Sequence, residues 1–236
     1  MLADYHLHPE FSDDSVEPME NVVKKAIAMG FSEICFTDHV DYGIKMDHDV
    51  YRTLNQAQKD KVGILLNADY PAYFKKIAYL RENYSDRIII RQGLEFGVQT
   101  HTIPAYQKLF DGCDLDFVIL SCHQVDDKEF WTGDFQKGRS PSEYNEKYYQ
   151  EIYDCMLNYK NYSVLGHLNM MQRYNTETYP FSVSKEIITK ILKLAIADGK
   201  GIEVNTSSFR YNLPNLTPER DILRLYHDLG GTIVTV

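Results

Sequence analysis

Seven short runs rich in apolar and β-branched residues recur along the chain, and segments with helical patterning separate them. Runs of this composition favour β-strands. The seven runs are 2–8, 32–38, 87–94, 116–122, 163–166, 201–205 and 231–236. The helical segments between them are 17–29, 72–83, 103–110, 142–159, 183–198 and 217–229. This alternation predicts an α/β fold with a parallel sheet and helical crossovers.

Open doubly wound sheets and closed barrels both satisfy this alternation, and both bind ligands at the C-terminal ends of their parallel strands. Five of the seven runs lead into a histidine or a glutamate at that end. A closed barrel brings all its strand ends to one central mouth, whereas an open sheet spreads them along an edge. The pattern therefore favours a closed barrel.

The first run ends in a His-x-His pair, His6 and His8. Residues two apart in a strand point to the same face of the sheet, so the two imidazoles form a clamp for a divalent transition metal. Four other runs lead into a further metal-ligating residue: His39, Glu95, His123 and His167. A barrel core with buried polar histidines is the alternative, but it does not explain why all these residues fall at strand ends. Histidine and carboxylate ligands together favour Zn, Mn or Fe over Ca or Mg.

The composition argues against several classes of function. The chain has 236 residues, 44% of them hydrophobic, which is enough for a sizeable core. Its formal net charge of −9 argues against nucleic acid as a partner, because phosphate backbones need a basic surface. No apolar stretch approaches the roughly 18 residues of a membrane span, and no signal peptide is expected because the first ten residues are polar-rich. Four scattered cysteines without a C-x-x-C pair are typical of reduced thiols in a cytoplasmic protein.

The ordered motifs of the chain resemble those of the polymerase and histidinol phosphatase (PHP) superfamily, and more narrowly its histidinol-phosphatase branch. The resemblance extends from residue 4 to residue 236 and rests on His6-Leu7-His8, Phe11-Ser12-Asp13-Asp14-Ser15, Thr37-Asp38-His39, Gly93-Leu94-Glu95, Ser121-Cys122-His123, Gly166-His167-Leu168-Asn169 and Glu203-Val204-Asn205-Thr206-Ser207. It implies a single PHP domain over residues 1–236, ending at the seventh strand. The implied fold is a distorted seven-stranded (β/α)7 TIM-like barrel that holds two or three divalent transition metals.

The resemblance also implies roles for individual residues. A first metal would be held by His6 and His8. Glu95 would bridge the first metal and a second one, and His123 and His167 would complete the ligands of the second. A carboxylate in this bridging position distinguishes the pattern from amidohydrolase-type enzymes, which often use a lysine there.

A third metal would be held by His39 and an acid from the loop after the first run. Asp14 fits this position better than Asp13, because the spacing from His8 agrees and a serine follows it. The family also has an Asp-x-His pair just after the seventh strand, which would bind the first and third metals. The sequence ends at Val236, before the place of that pair, so we expect the third metal to be affected most.

A phosphomonoester needs fixed positive charge beyond the metals, and arginine supplies it because its planar fork binds two oxygens. Arg173 and Arg210 follow two of the strand ends within a few residues, and the resemblance implies phosphate-binding arginines in these loops. A solvated surface position is the alternative for either residue. The long polar loop 126–140 carries Trp131, the only tryptophan, and is a candidate lid or substrate wall.

These features predict a metal-dependent phosphomonoesterase that hydrolyses L-histidinol phosphate in histidine biosynthesis, with catalytic roles for Glu95, Arg173 and Arg210. The substrate follows from the resemblance, and acids such as Glu203 add a weak argument because they could bind a cationic amino alcohol. One alternative is a phosphatase for another small ester, such as a nucleotide or sugar phosphate. The others are a carbon–nitrogen hydrolase of the amidohydrolase type and a non-catalytic metal-binding module. No membrane partner is expected, and a homo-oligomer is compatible with the sequence.

Overall fold

The computed structural model describes residues 2–62, 65–175, 177 and 179–235. The strands in this part of the chain are β1 (Ala3–Leu7), β2 (Glu33–Phe36), β3 (His39–Val40), β4 (Ile89–Gly97), β5 (Phe117–Ser121), β6 (Gln124–Val125), β7 (Lys128–Glu129), β8 (Val164–Leu165), β9 (Gly201–Glu203) and β10 (Val234–Thr235). Parallel pairing joins seven of them in the order β1-β2-β4-β5-β8-β9-β10, and β3 also pairs with β4. They build a nearly closed barrel, which confirms the predicted (β/α)7 fold.

Helices fill every crossover between neighbouring strands of the barrel. Within the described ranges they are α1 (Met19–Ala28), α2 (His48–Thr53), α3 (Gln56–Val62), α4 (Tyr70–Tyr84), α5 (Ile103–Gly112), α6 (Pro141–Asn158), α7 (Phe181–Ala197) and α8 (Arg220–Asp228). None of these helices combines the length and apolarity that a membrane span requires. The short helices α2 and α3 were not expected from the sequence, because neither shows a long amphipathic repeat.

The outer helices bury one apolar face against the barrel. Ile188, Ile191, Leu192 and Ala195 recur at helical spacing along α7 and are all fully buried. In the tyrosine-rich helix α6, the buried Tyr148 hydroxyl donates a hydrogen bond to the carbonyl of Leu168, at 2.9 Å. Because Leu168 follows the metal-site candidate His167, this packing also supports the loop after β8.

Strand β4 runs further than its sequence pattern indicates. The apolar run was expected to stop before Glu95, but β4 continues through Glu95 to Gly97. Glu95 lies between His39 of β3 and Ile119 of β5 in the register of the sheet. The buried carboxylate breaks the apolar pattern, yet its backbone remains fully paired, so composition alone places the strand end too early.

Helix α8 begins at Arg220, three residues later than the sequence suggested. The backbone N–H groups of Thr217 and Asn205 each donate to the carbonyl of the other, at 3.2 and 2.7 Å. Thr217 is therefore committed to a β-bridge beside the loop after β9, and its backbone is not available to open a helix.

The start of α6 provides a test of local stability. Ser140 accepts a hydrogen bond from the backbone N–H of Glu143, whose carboxylate accepts from the backbone N–H of Ser140 at 2.7 Å. We expect Ser140→Ala to lower the free energy of unfolding by about 1 kcal/mol, because this reciprocal cap is lost. Urea titration measures the change, and Ser142→Ala, an exposed position in the same turn, is the control. Equal effects of the two substitutions would contradict the role of the cap.

Candidate metal centre

The side chain of Glu95 is fully buried where the C-terminal ends of the strands converge. One of its oxygens, Oε2, faces three histidine nitrogens. Nε2 of His6 lies 3.0 Å away, and Nε2 of His8 lies 3.2 Å away. Nδ1 of His39 completes the group at 3.3 Å. Strand β1 contains His6, His8 follows the C-terminal end of β1, and β3 begins at His39.

The other oxygen of Glu95, Oε1, faces a second group. Nε2 of His123, which follows β5, lies 3.1 Å away, and Nε2 of His167, which follows β8, lies 2.8 Å away. The hydroxyl of Ser121 donates to the same oxygen at 2.6 Å. Each oxygen of the carboxylate thus faces its own set of imidazoles, the arrangement expected when one carboxylate bridges two metal ions.

The donor set fits divalent transition metals. Buried polar atoms normally have a hydrogen-bond partner, yet Nε2 of His8 and Nδ1 of His39 have none within the described part of the chain. Unpartnered buried nitrogens beside a carboxylate suit metal ligation, since a metal needs their lone pairs. Among the described residues, three groups that could hold a metal ion have ligand atoms within 4.8 Å of one another: His6-Glu95-His167, His8-His39-Glu95 and His39-Asp41-His123.

The two acids considered for a third metal have different partners. Asp14 lies 3.1 Å from Nδ1 of His8 and 3.6 Å from Nε2 of His39. Asp13 instead pairs with the ammonium of Lys45, at 2.8 Å. The structure thus brings Asp14, and not Asp13, to the histidines.

Sequence reasoning missed Asp41 and Lys45. Asp41 lies 2.7 Å from Nδ1 of His123 through one oxygen and 2.9 Å from the ammonium of Lys45 through the other. Gly97 leaves room for this contact, because a Cβ there would collide with the carboxylate of Asp41 and the ring of His123. The available signal was the position of Asp41 two residues after His39, which suggests one shared face in an extended segment.

Glu203 has a different role from the one its acidity suggested. Its carboxylate contacts Nδ1 of His6 and accepts the backbone N–H of His167, the latter at 2.7 Å. Only 2% of Glu203 is exposed, and it does not line the cleft described below. It therefore orients two candidate metal ligands and is not placed to contact a cationic substrate, since such outer carboxylates fix the tautomer and direction of a ligating histidine.

Opposite charges at the centre shift the pKa values of its members strongly. Burial lowers the pKa of His6, but the carboxylates of Glu203 and Glu95 outweigh burial and hold this pKa well above its ordinary value. Burial also lowers the pKa of His123, but the negative charges of Asp41 and Glu95 have the larger effect and raise this pKa to about 10. Burial raises the pKa of Glu95, but the surrounding histidines hold it well below its usual range. The centre therefore attracts positive charge, which protons or metal ions can supply.

A cleft of about 680 Å³ opens onto the metal centre, and both predicted arginines line it. Arg173 donates to the hydroxyl of Ser207 at 2.7 Å and stacks over the ring of Tyr211, 4.5 Å from its centroid. Its Nε is buried and has no hydrogen-bond partner within the described residues. Arg210 is exposed at the same cleft. Two guanidinium groups thus lie at the same cleft as the candidate metal ligands, and such groups can bind phosphate oxygens in pairs.

Comparison with known proteins identifies relatives with this architecture. The PHP domain family model matches residues 4–207. A histidinol-phosphatase from Lactococcus lactis subsp. lactis is 31% identical over 99% of this chain and 81% of its own length. A probable histidinol-phosphatase from Thermotoga maritima is 25% identical over 100% of this chain and 82% of its own.

Solved structures show the same fold. A Lactococcus lactis histidinol phosphate phosphatase, complexed with zinc, L-histidinol and phosphate, superposes with a TM-score of 0.84 at 31% identity. The match covers 99% of this chain and 83% of that one. A putative histidinol phosphatase from Listeria monocytogenes has a TM-score of 0.67 over 99% of this chain and 94% of that one, at 20% identity, which shows the shared fold alone.

The ion network of Lys45 provides a test that does not depend on catalysis. We expect Lys45→Met to lower the free energy of unfolding of metal-free protein by about 2 kcal/mol, because the buried Asp41 carboxylate loses one of its two close positively charged partners and keeps His123. Urea titration in excess chelator measures the loss. Lys25→Met, on the exposed face of α1, is the matched control and should have little effect. A Lys45 variant as stable as that control would contradict the role of the network.

The shifted pKa values also predict how metal binding depends on pH. Metal ligation requires neutral imidazoles, whereas carboxylate neighbours overcome burial and raise the pKa to about 9 for His8 and about 10 for His123. Below these values metal ions must displace protons, so apparent affinity should rise with pH, by about tenfold per unit for each displaced proton. Competition with a metal-sensitive chelator between pH 6.5 and 8.5, corrected for protonation of the chelator, measures the slope. A flat profile would show that the histidines are already neutral.

Proposed function

Because this chain belongs to the PHP domain family, we propose that it is a metal-dependent phosphatase that hydrolyses L-histidinol phosphate to L-histidinol and inorganic phosphate. The observation that carries the proposal is its full-length similarity to the Lactococcus lactis phosphatase whose structure holds zinc, L-histidinol and phosphate. The convergence of five histidines on Glu95 supplies a matching centre in this chain. The four free cysteines support a cytoplasmic location, and a homo-oligomer stays a prediction.

Glu95 is the bridging ligand in this proposal. Glu95, His6 and His8 would hold one divalent ion, and Glu95, His123 and His167 would hold a second. When bound, zinc, manganese or iron ions supply Lewis-acid charge at the phosphoryl group and lower the pKa of water at the centre.

A third ion is proposed between His39 and Asp14. Nδ1 of His39 lies 3.3 Å from Glu95, and Nε2 of the same ring lies 3.6 Å from Asp14. The His39 ring therefore lies between these two carboxylates. Asp14 comes from the loop after β1 and remains half-exposed, which gives this position fewer buried donors than the other two.

Arg173 and Arg210 bind the non-bridging phosphoryl oxygens. The reaction breaks the bond between phosphorus and the ester oxygen, water provides the new oxygen on phosphorus, and the departing alcohol takes a proton. The phosphoryl oxygens carry negative charge, which fixed positive groups stabilise. Guanidinium groups do so through paired hydrogen bonds. Ser207 and Tyr211 hold the plane of Arg173 in advance, which lowers the entropic cost of that contact.

Phosphate release from L-histidinol phosphate tests the function directly. We expect fast release by protein loaded with Zn, Mn or Fe, and loss of release after chelation. A nucleotide monophosphate and a sugar phosphate should react at least about 100-fold more slowly in kcat/KM, because they lack the amino-alcohol group that the cleft would recognise. Preferential release from one of these esters would instead support the alternative substrate class.

Substitution of Arg173 tests the phosphate-binding role. We expect Arg173→Met to lower kcat/KM by about 100-fold or more while the bound metal content stays the same, because the residue contacts phosphate and not the ions. Arg224→Met, on the exposed side of α8, is the control and should behave like the parent protein. An unchanged kcat/KM in the Arg173 variant would contradict a role for Arg173 in phosphate binding.

A further inference from the structure

A second cavity, of about 410 Å³, lies beside the barrel among the helices α2, α4 and α5. It has no lining residue in common with the cleft at the metal centre. Its volume falls within the range of small-molecule sites. Aromatic and apolar side chains form part of its wall: Tyr42, Tyr70, Pro71, Ala105 and Leu109. Neither the metal ligands nor the proposed reaction uses this cavity, so its lining points to a different ligand.

Asp47 lies in the wall of this cavity, and only neutral groups contact its carboxylate among the described residues. The hydroxyls of Tyr42 and Tyr70 donate to it at 2.9 and 2.7 Å, and the side-chain amide of Asn67 donates at 2.8 Å. Burial raises the pKa of both phenols, so both stay protonated donors. The negative charge of Asp47 therefore has no cationic partner there, and a cation in the cavity would be stabilised beside it.

The remaining charges of the cavity divide into paired and unpaired ones. Arg52 and Asp69 form an ion pair with each other, at 2.5 Å. Lys108 makes no ion pair or hydrogen bond with any other described residue. Asp49 accepts only the backbone N–H of the residue that follows it. Two carboxylates, Asp47 and Asp49, and one ammonium group, Lys108, are thus without a charged partner in the part of the chain that the structure describes.

A zwitterion with an apolar body complements this lining. Its ammonium group would meet the carboxylates of Asp47 and Asp49, and its carboxylate would meet the ammonium of Lys108. The rings of Tyr42 and Tyr70 offer the apolar surface against which a side chain packs. A ligand with only one of the two charges would leave the opposite charge of the cavity without a partner, at a cost in affinity.

One buried side chain connects this cavity to the metal centre. Asn67 is only 1% exposed, and its Oδ1 accepts the backbone N–H of Asp41 at 2.9 Å while its Nδ2 donates to Asp47. Asp41 in turn lies 2.7 Å from Nδ1 of His123. An ammonium group bound to Asp47 competes with the Asn67 amide for the lone pairs of that carboxylate. Its arrival therefore alters a hydrogen-bond chain that ends at a candidate metal ligand.

We propose that this cavity binds a free α-amino acid with an apolar side chain, and that its occupancy alters metal binding through Asn67. Asp47 and Asp49 bind the ammonium group of the amino acid, Lys108 binds its carboxylate, and the two tyrosine rings contact its side chain. The site is separate from the phosphoester cleft, so the proposal goes beyond the proposed function and does not depend on which ester is hydrolysed.

Binding of L-leucine and L-phenylalanine to metal-loaded protein tests the site directly. Ligand-observed NMR titration should give saturable binding with a Kd of about 1 mM or tighter, as expected for ligands of this size. Phenethylamine lacks the carboxylate of L-phenylalanine, and 3-phenylpropanoate lacks its ammonium group. Each should bind about 10-fold or more weakly than L-phenylalanine, because each loses one charged contact. Absence of binding by both amino acids, or equal binding of all three phenyl compounds, would overturn the proposal.

Lys108→Met places the ligand in this cavity. Lys108 is exposed and unpaired, so its loss should leave the fold unchanged. The variant should bind L-phenylalanine about 10-fold more weakly and phenethylamine as the parent does, because phenethylamine has no carboxylate. Lys75→Met, at an exposed position of α4 outside the cavity, is the matched control. A Lys108 variant that binds L-phenylalanine as tightly as this control, or that loses both ligands equally, would contradict the assignment.

The link through Asn67 has its own readout, which requires no turnover. Saturating L-phenylalanine should change the apparent metal affinity by about fivefold, as measured by competition with a chelator. L-Phenylalanine also chelates metal ions, so Lys108→Met at the same amino acid concentration is the control, since it retains chelation and should show a clearly smaller change. Equal changes in parent and variant, or none in either, would overturn the coupling. Failure of the phosphatase assay would refute the proposed function and leave these binding results unaffected.

Discussion

The architecture depends on one buried anion. A carboxylate that is fully removed from water carries a large desolvation cost unless positive or hydrogen-bonding groups surround it. Glu95 meets this requirement only where the ends of β1, β3, β5 and β8 converge, because each of these elements supplies one or two of its imidazole neighbours. The strand ends that meet at the mouth of the barrel are therefore also the ones that supply the candidate metal centre.

A second ring of charges holds these imidazoles in place. Asp41 fixes His123 through Nδ1, and Glu203 fixes His6 through the same ring atom. Both contacts leave the Nε2 atoms directed at Glu95, which is the orientation needed for metal ligands. Lys45 forms ion pairs with both Asp41 and Asp13. Because Asp13 lies in the loop after β1, these pairs also connect that loop to the outer charges.

Groups of opposite charge line the cleft. Guanidinium groups enter it from the loops after β8 and β9, and Glu129 enters it from the hairpin after β5. These loops carry different chemistry on one shared barrel, which is how such folds vary specificity without changing the packing below. The aromatic side chains of Trp131 and Tyr211 add apolar walls to the same opening.

The placement of histidines and acids at strand ends was enough to predict the barrel and the meeting of five histidines with Glu95 at its mouth. Both inferences depend on local periodicity and residue type, which the sequence contains directly. The same reasoning placed the end of β4 too early and missed Asp41 and Lys45. It offered Glu203 as one of several acids that could bind a cationic amino alcohol, whereas the carboxylate of Glu203 contacts His6. Only the tertiary structure decided the roles of Asp41, Lys45 and Glu203. These roles depend on contacts between side chains from segments that are far apart in the sequence, and no local pattern predicts such contacts.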